Sequence, residues 1–93
     1  MSAVRREVTI VNARGLHARA SAKFVGAVAE IDDSVSIKVA KDGNEAAGGS
    51  ILGLMMLGAA KGDTVEIIVE GDGQDDILAQ LCAMVEDGFG EEK

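Results

Sequence analysis

The apolar residues of this 93-residue chain change period along its length, and the order of those changes leaves few folds open. From Val4 to Val11 the pattern alternates, with Val4, Arg6, Val8 and Ile10 on one side and Arg5, Glu7, Thr9 and Val11 on the other. The segment is rich in β-branched residues, which predicts a strand. After the Asn12–Gly15 loop the period lengthens. Ala20, Phe24, Val28 and Ile31 form one stripe with Ser21, Val25 and Ala29 beside it, predicting a helix from Ala18 to Glu30. Val35, Ile37 and Val39 restore the alternation, and Asp42-Gly43 signals a type I′ hairpin into a short third strand near Asn44–Ala47. Ser50 is placed to cap a short helix in which Ile51, Leu54 and Met55 share a face. Thr64–Glu70 is a fourth strand, with Val65, Ile67 and Val69 on one side. Ile77, Leu78, Leu81, Cys82 and Val85 then stripe a last helix whose first turn is crowded with acids.

The order β-α-β-β-α-β-α predicts an α+β fold, a two-layer open-faced sandwich. A four-stranded antiparallel sheet carries three helices on one face. Its other face is expected to be solvated, in keeping with Arg5, Glu7, Thr9, Ser36, Lys38 and Glu66. The length allows a single domain over residues 1–93, with 1–3 and 90–93 as flexible ends. A chain of this size buries only about two-thirds of its unfolded surface, so the core must be economical. Two Phe and no Trp or Tyr make that core aliphatic.

Charge narrows the partners. The net charge of −7 argues against nucleic acid and anionic membranes, and there is little aromatic surface on which bases could stack. The charge is unevenly spread: residues 1–23 carry Arg5, Arg6, Arg14, Arg19 and Lys23 against the single acid Glu7, whereas acids dominate from Asp63 onward. This is either solvated surface or a basic face around residues 14–23 that meets an anion or an acidic partner. Cys82 has no partner for an internal disulfide. With no signal-like segment and no apolar run long enough to span a bilayer, a cytoplasmic protein with a buried thiol is expected.

The chemistry concentrates where the first strand turns into the first helix. Gly15-Leu16-His17-Ala18-Arg19-Ala20-Ser21 puts His17, the only histidine, at or next to the helix N-cap. Backbone N–H groups without intrahelical partners and the positive end of the dipole make that place a phosphate site. The same dipole, with Arg19, disfavours an imidazolium, and a neutral ring keeps a lone pair able to attack a phosphoryl group. The alternative is a surface histidine that merely caps the helix. One His and one Cys form no metal ligand set, and Asp72–Asp76 lacks calcium-loop spacing. Gly48-Gly49-Ser50 is not followed by the Lys-Ser/Thr pair of a nucleotide loop, and no cofactor motif is legible.

The run Gly15-Leu16-His17-Ala18-Arg19-Ala20-Ser21-Ala22-Lys23-Phe24-Val25 closely resembles the active-site segment of the HPr family. These are the histidine-containing phosphocarriers of the phosphoenolpyruvate-dependent phosphotransferase system. The likeness extends through the Asp42-Gly43 hairpin, Ser50-Ile51-Leu52-Gly53-Leu54, Leu57-Gly58 and Lys61-Gly62-Asp63. It implies a carrier, not an enzyme: His17 takes phosphate on Nδ1 from enzyme I and passes it to an enzyme IIA-type acceptor. Arg19 would stabilise the phosphate together with the backbone of Ala18 and Arg19. Ser50 would be a regulatory site for a serine kinase/phosphorylase. Arg14, Ala20, Lys23, Ile51, Leu52 and Met55 would dock partners, with Leu52 and either Met55 or Met56 outward and Ile51 partly buried. A monomer is expected.

Three positions depart from the family pattern. Ala20 stands where a proline is usual after the arginine, which loosens the first turn slightly and leaves one more N–H donor. Gly26 and Gly53 stand where many relatives have docking lysines, leaving Arg14, Arg19 and Lys23 to supply recognition. The alternative function is therefore a regulatory protein-binding module of a nitrogen-type branch, with no sugar-transport role. An independent hydrolase lacks a second acid/base partner in the motif.

Overall fold

The computed structural model describes residues 2–91, and in it the four alternating segments pair edge to edge. Strands β1 (Val4–Thr9), β2 (Ser36–Lys41), β3 (Asn44–Ala47) and β4 (Thr64–Glu70) form one sheet in the order β1-β4-β2-β3, antiparallel at every step. Helices α1 (Ala18–Ala29), α2 (Ile51–Met56) and α3 (Gln74–Glu86) cover one face, giving the expected open-faced sandwich. Met1, Glu92 and Lys93, parts of the two ends read as flexible, lie outside the described residues.

Register follows from the alternation. Val8 faces Val65 across β1–β4, and Val39 faces Ile67 across β2–β4. One face of the sheet is therefore aliphatic and must be covered. Helix α3 lies against β1 and β4, while α1 packs beside α2 and meets α3. Phe24, Leu54, Leu81 and Cys82 from the helices close on Ile10, Val65, Ile67 and Val69, all nearly inaccessible. Burial pushes the Cys82 thiol up, so it remains a protonated core residue.

The hairpin behaves as its sequence requires. Asp42 and Gly43 both take positive φ, 52° and 84°, which are the values of a two-residue I′ turn. The open face holds one surprise. Ile68 points away from the helices yet is only 7% exposed, because its cross-strand neighbours are Arg5 and Lys38. Long basic side chains shield an aliphatic neighbour with their methylenes while their charges stay wet. Arg5 reaches on to Glu66, at 3.3 Å.

In α1, Gly26 is exposed, and a Cβ added there would meet nothing within 4 Å. Glycine in an open helix interior costs backbone entropy without serving packing. Gly26→Ala is expected to raise the stability to denaturant by about 0.5–1 kcal/mol, read as a higher urea midpoint at unchanged slope.

Candidate functional site

The site begins with a turn. Asn12 accepts the Gly15 N–H on its carbonyl at 3.1 Å, and its side-chain Nδ2 donates to the Gly15 carbonyl at 2.8 Å. Gly15 takes φ of 64°, and a Cβ there would lie 2.3 Å from the Ala59 carbonyl oxygen, so only glycine fits. That close approach lets the next N–H, of Leu16, donate to the same oxygen at 2.9 Å. Leu16 is buried, and its carbonyl accepts from the Ser21 hydroxyl. The chain has no freedom left when it reaches His17.

His17 is the N-cap of α1, in extended backbone, and its Nδ1 accepts the Arg19 N–H at 3.0 Å. A nitrogen that accepts a hydrogen bond offers a lone pair, so the ring's hydrogen is on Nε2. Nε2 lies 3.1 Å from Glu91 Oε1, to which it donates. The bonds on the two ring nitrogens thus agree on one tautomer. The N–H groups of Ala18 and Ala20, in the same helical turn, have no acceptor among the described residues. Beside the ring is an open cleft of about 420 Å³ lined by Ala13, Arg14, His17, Arg19, Lys23, Gly90 and Glu91. Among the described residues, neither the Arg14 nor the Arg19 guanidinium has a carboxylate partner. A small anion in this cleft meets a helix N-terminus and two free cations.

Glu91 and Asn12 were not singled out from the sequence. Gly90 and Glu91 fall in the stretch read as a flexible end, but the structure bonds them into the site. After α3, Gly88, Phe89 and Gly90 take φ of 68°, 57° and 74°, a left-handed turn with Phe89 inserted in the core. A left-handed non-glycine residue costs about 1–2 kcal/mol, which the burial of Phe89 offsets. Lys23 Nζ donates to the Phe89 carbonyl at 2.8 Å, and Asn12 Nδ2 to Glu91 Oε1 at 3.2 Å. The hydrogen bond from His17 holds the Glu91 carboxyl below the usual carboxylate range; burial opposes this, and the Asn12 hydrogen bond and the His17 and Lys23 charges add to it. A depressed carboxyl contributes stability above its ordinary titration range and loses it as pH falls through the folded value. Glu91 is therefore an anion throughout the neutral range.

The other named positions divide. Ser50 caps α2, its Oγ accepting the Gly53 N–H at 2.9 Å. Leu52 and Met56 are 68% and 78% exposed, and Ile51 and Met55 each 40%, so an apolar face is open on α2, which packs beside α1. Lys23 lines the cleft, although its ammonium is tied to Phe89. Ala20 corrects the docking set: it is wholly buried, on the same α1 stripe as Phe24, and offers a partner no side chain. Gly53 is more than a missing lysine, since a Cβ there would crowd Ser50 Oγ at 3.0 Å.

Gly15→Ala is expected to cost about 2–4 kcal/mol of stability, from the left-handed backbone and the clash with Ala59, and to broaden the His17 ring resonances in NMR spectra.

Residues 4–87 match the family described as PTS-HPr, PTS HPr component phosphorylation site. The chain is 40% identical over 86 residues to the phosphocarrier protein HPr of Pseudomonas putida, covering 92% of this chain and 94% of that one. It is 36% identical over 91 residues to the phosphocarrier protein NPr of Shewanella violacea, covering 98% of each. Its fold superposes on the crystal structure of HPr-C-His from Thermoanaerobacter tengcongensis with a TM-score of 0.88 at 36% identity, over 97% of this chain and 99% of that one. No helix among the described residues is long and apolar enough to cross a membrane. A helix-capping histidine in a cationic cleft, on this fold and with these relatives, places the chain in the HPr family of phosphocarrier proteins.

Proposed function

We propose that His17 is the phosphoryl acceptor, charged by enzyme I at the expense of phosphoenolpyruvate and discharged to an enzyme IIA-type protein. The observation that carries this reading is the Nδ1 lone pair at the N-terminus of α1, 3.0 Å from the Arg19 N–H. A phosphoryl group bonded to Nδ1 takes over that donor and gains the free N–H groups of Ala18 and Ala20. Arg19 and Arg14 flank the same cleft and stabilise the added negative charge. The cleft is open to solvent, so the phosphoryl group stays accessible to an acceptor, as a carrier requires.

In this reading the exposed Ile51, Leu52, Met55 and Met56 form the apolar part of the docking surface, with Arg14 and Arg19 as its charged part. A second reading, service of a nitrogen-type rather than a sugar-type branch, is favoured by the bare Gly26 on α1 and by the NPr relative. Ser50 would be the regulatory position. Its Oγ already sits at an N-terminus, and a phosphate there would put a dianion beside the apolar face.

Phosphorylation by enzyme I and phosphoenolpyruvate, followed by intact-mass measurement without acid, tests the acceptor. Wild type is expected to gain one phosphoryl group and His17→Ala none. Arg19→Ala should charge about 10- to 100-fold more slowly, in line with the loss of a charged donor to the transferring group. Acid-labile phosphate on His17→Ala would sink the assignment. Offering the charged protein to sugar-type and nitrogen-type enzyme IIA then decides the branch. Ser50→Asp is expected to raise the KM of enzyme I for the carrier about tenfold, through charge placed on the docking face; an unchanged KM removes the regulatory role.

A further inference from the structure

We propose that Glu91 is a positioning residue for phosphoryl transfer. Its carboxylate holds His17 in the Nε2–H tautomer, so that the free lone pair is always on Nδ1, and it balances the charge the ring gains on phosphorylation. This rests on His17 being the acceptor.

Three observations converge on the role. Glu91 Oε1 takes the only hydrogen a neutral ring can carry, at 3.1 Å, while the opposite nitrogen faces the Arg19 N–H. Both side chains are largely withdrawn from water, at 23% and 16% exposure, so the pair is less screened than one on the open surface. The segment that delivers Glu91 is left-handed through three residues, one of them the non-glycine Phe89, and it is pinned by Lys23 and Asn12. For the two glycines that conformation carries no steric cost, but at Phe89 it is unfavourable and persists because the surrounding contacts hold it. A tail serving only to end α3 needs neither the turn nor the anchors.

The transfer step balances without a proton leaving the ring. The Nδ1 lone pair forms the bond to phosphorus as the bond from phosphorus to the donor breaks, and that electron pair departs with the donor. The ring keeps its Nε2–H and becomes a cationic phosphoryl-imidazolium against the Glu91 carboxylate. On discharge the Nδ1–P pair returns to the ring, which leaves as neutral imidazole. A ring that stays protonated is the better leaving group, so Glu91 keeps the phosphoryl group transferable near neutrality. The other charges facing the ring are Arg14 from the loop and Arg19 and Lys23 from α1; α2 contributes no titratable group. All three are cations, which makes Glu91 the anion of the described site.

Glu91→Gln and Glu91→Ala in the full chain test this. Long-range ¹H–¹⁵N correlation of the unphosphorylated protein is expected to show bare Nδ1 in wild type and a mixture of tautomers in Glu91→Ala, with backbone resonances of the sheet unmoved. After charging with enzyme I and phosphoenolpyruvate, the half-life of phospho-Glu91→Gln at neutral pH should lengthen by about threefold to tenfold, and the acid limb of its hydrolysis profile should move to lower pH. A tautomer and a hydrolysis profile unchanged in both variants would overturn the proposal. Failure of wild type to take phosphate would instead overturn His17 as acceptor, while the tautomer readout still reports on Glu91.

Discussion

A single backbone contact sets the geometry of the site: the Leu16 N–H bonded to the Ala59 carbonyl, with Gly15 stacked against the same peptide. It joins the loop before α1 to the loop after α2, two segments more than forty residues apart in the chain. Because Gly15 has no side chain, the two backbones meet at hydrogen-bond distance, and α1 starts where the sheet directs it. Everything at the ring follows. His17 caps the helix because Leu16 is buried one residue earlier, and the apolar face of α2 is carried by the same junction.

Once the ring is placed, its two nitrogens have different surroundings. Nδ1 looks along the helix N-terminus, where donors and positive charge gather, and Nε2 looks at a carboxylate. Under the proposed function, that division separates the place where charge would arrive from the place where it would be compensated. The helix end can accept a phosphate without also having to neutralise the ring. Asn12 serves both halves, closing the Gly15 turn and touching Glu91, so loop and tail are registered against one buried amide.

Much of this was legible in the sequence, for reasons that also explain what was not. Strand and helix periods are local, so Val4–Thr9, Ala18–Ala29 and Thr64–Glu70 could be read within a residue or two of their bounds. The cap at His17 is a local offset between loop and stripe, and Ser50 before Ile51 is another. Glu91 meets His17 across 74 residues and Asn12 across 79, and no period carries information over that span. The one available sign was Gly88-Phe89-Gly90, where a large apolar residue between two glycines marks a turn anchored in the core. Ala20 lies next to the His17 turn, which suggests exposure, but its spacing from Phe24 on the α1 stripe places it inside. Ile68 was missed because alternation alone does not foresee a hydrophobe sheltered by basic stems.

The strand order has a consequence for how the molecule comes into being. β4 lies between β1 and β2, so the first two strands have no bond to each other until the fourth is inserted. On the ribosome, the segment through Glu70 must emerge before the sheet closes, and until then only the β2–β3 hairpin has its partner. Pairings this distant in sequence make closure slow relative to helix formation. The His17 cleft completes later still, because Glu91 follows α3 and the turn at Gly88–Gly90.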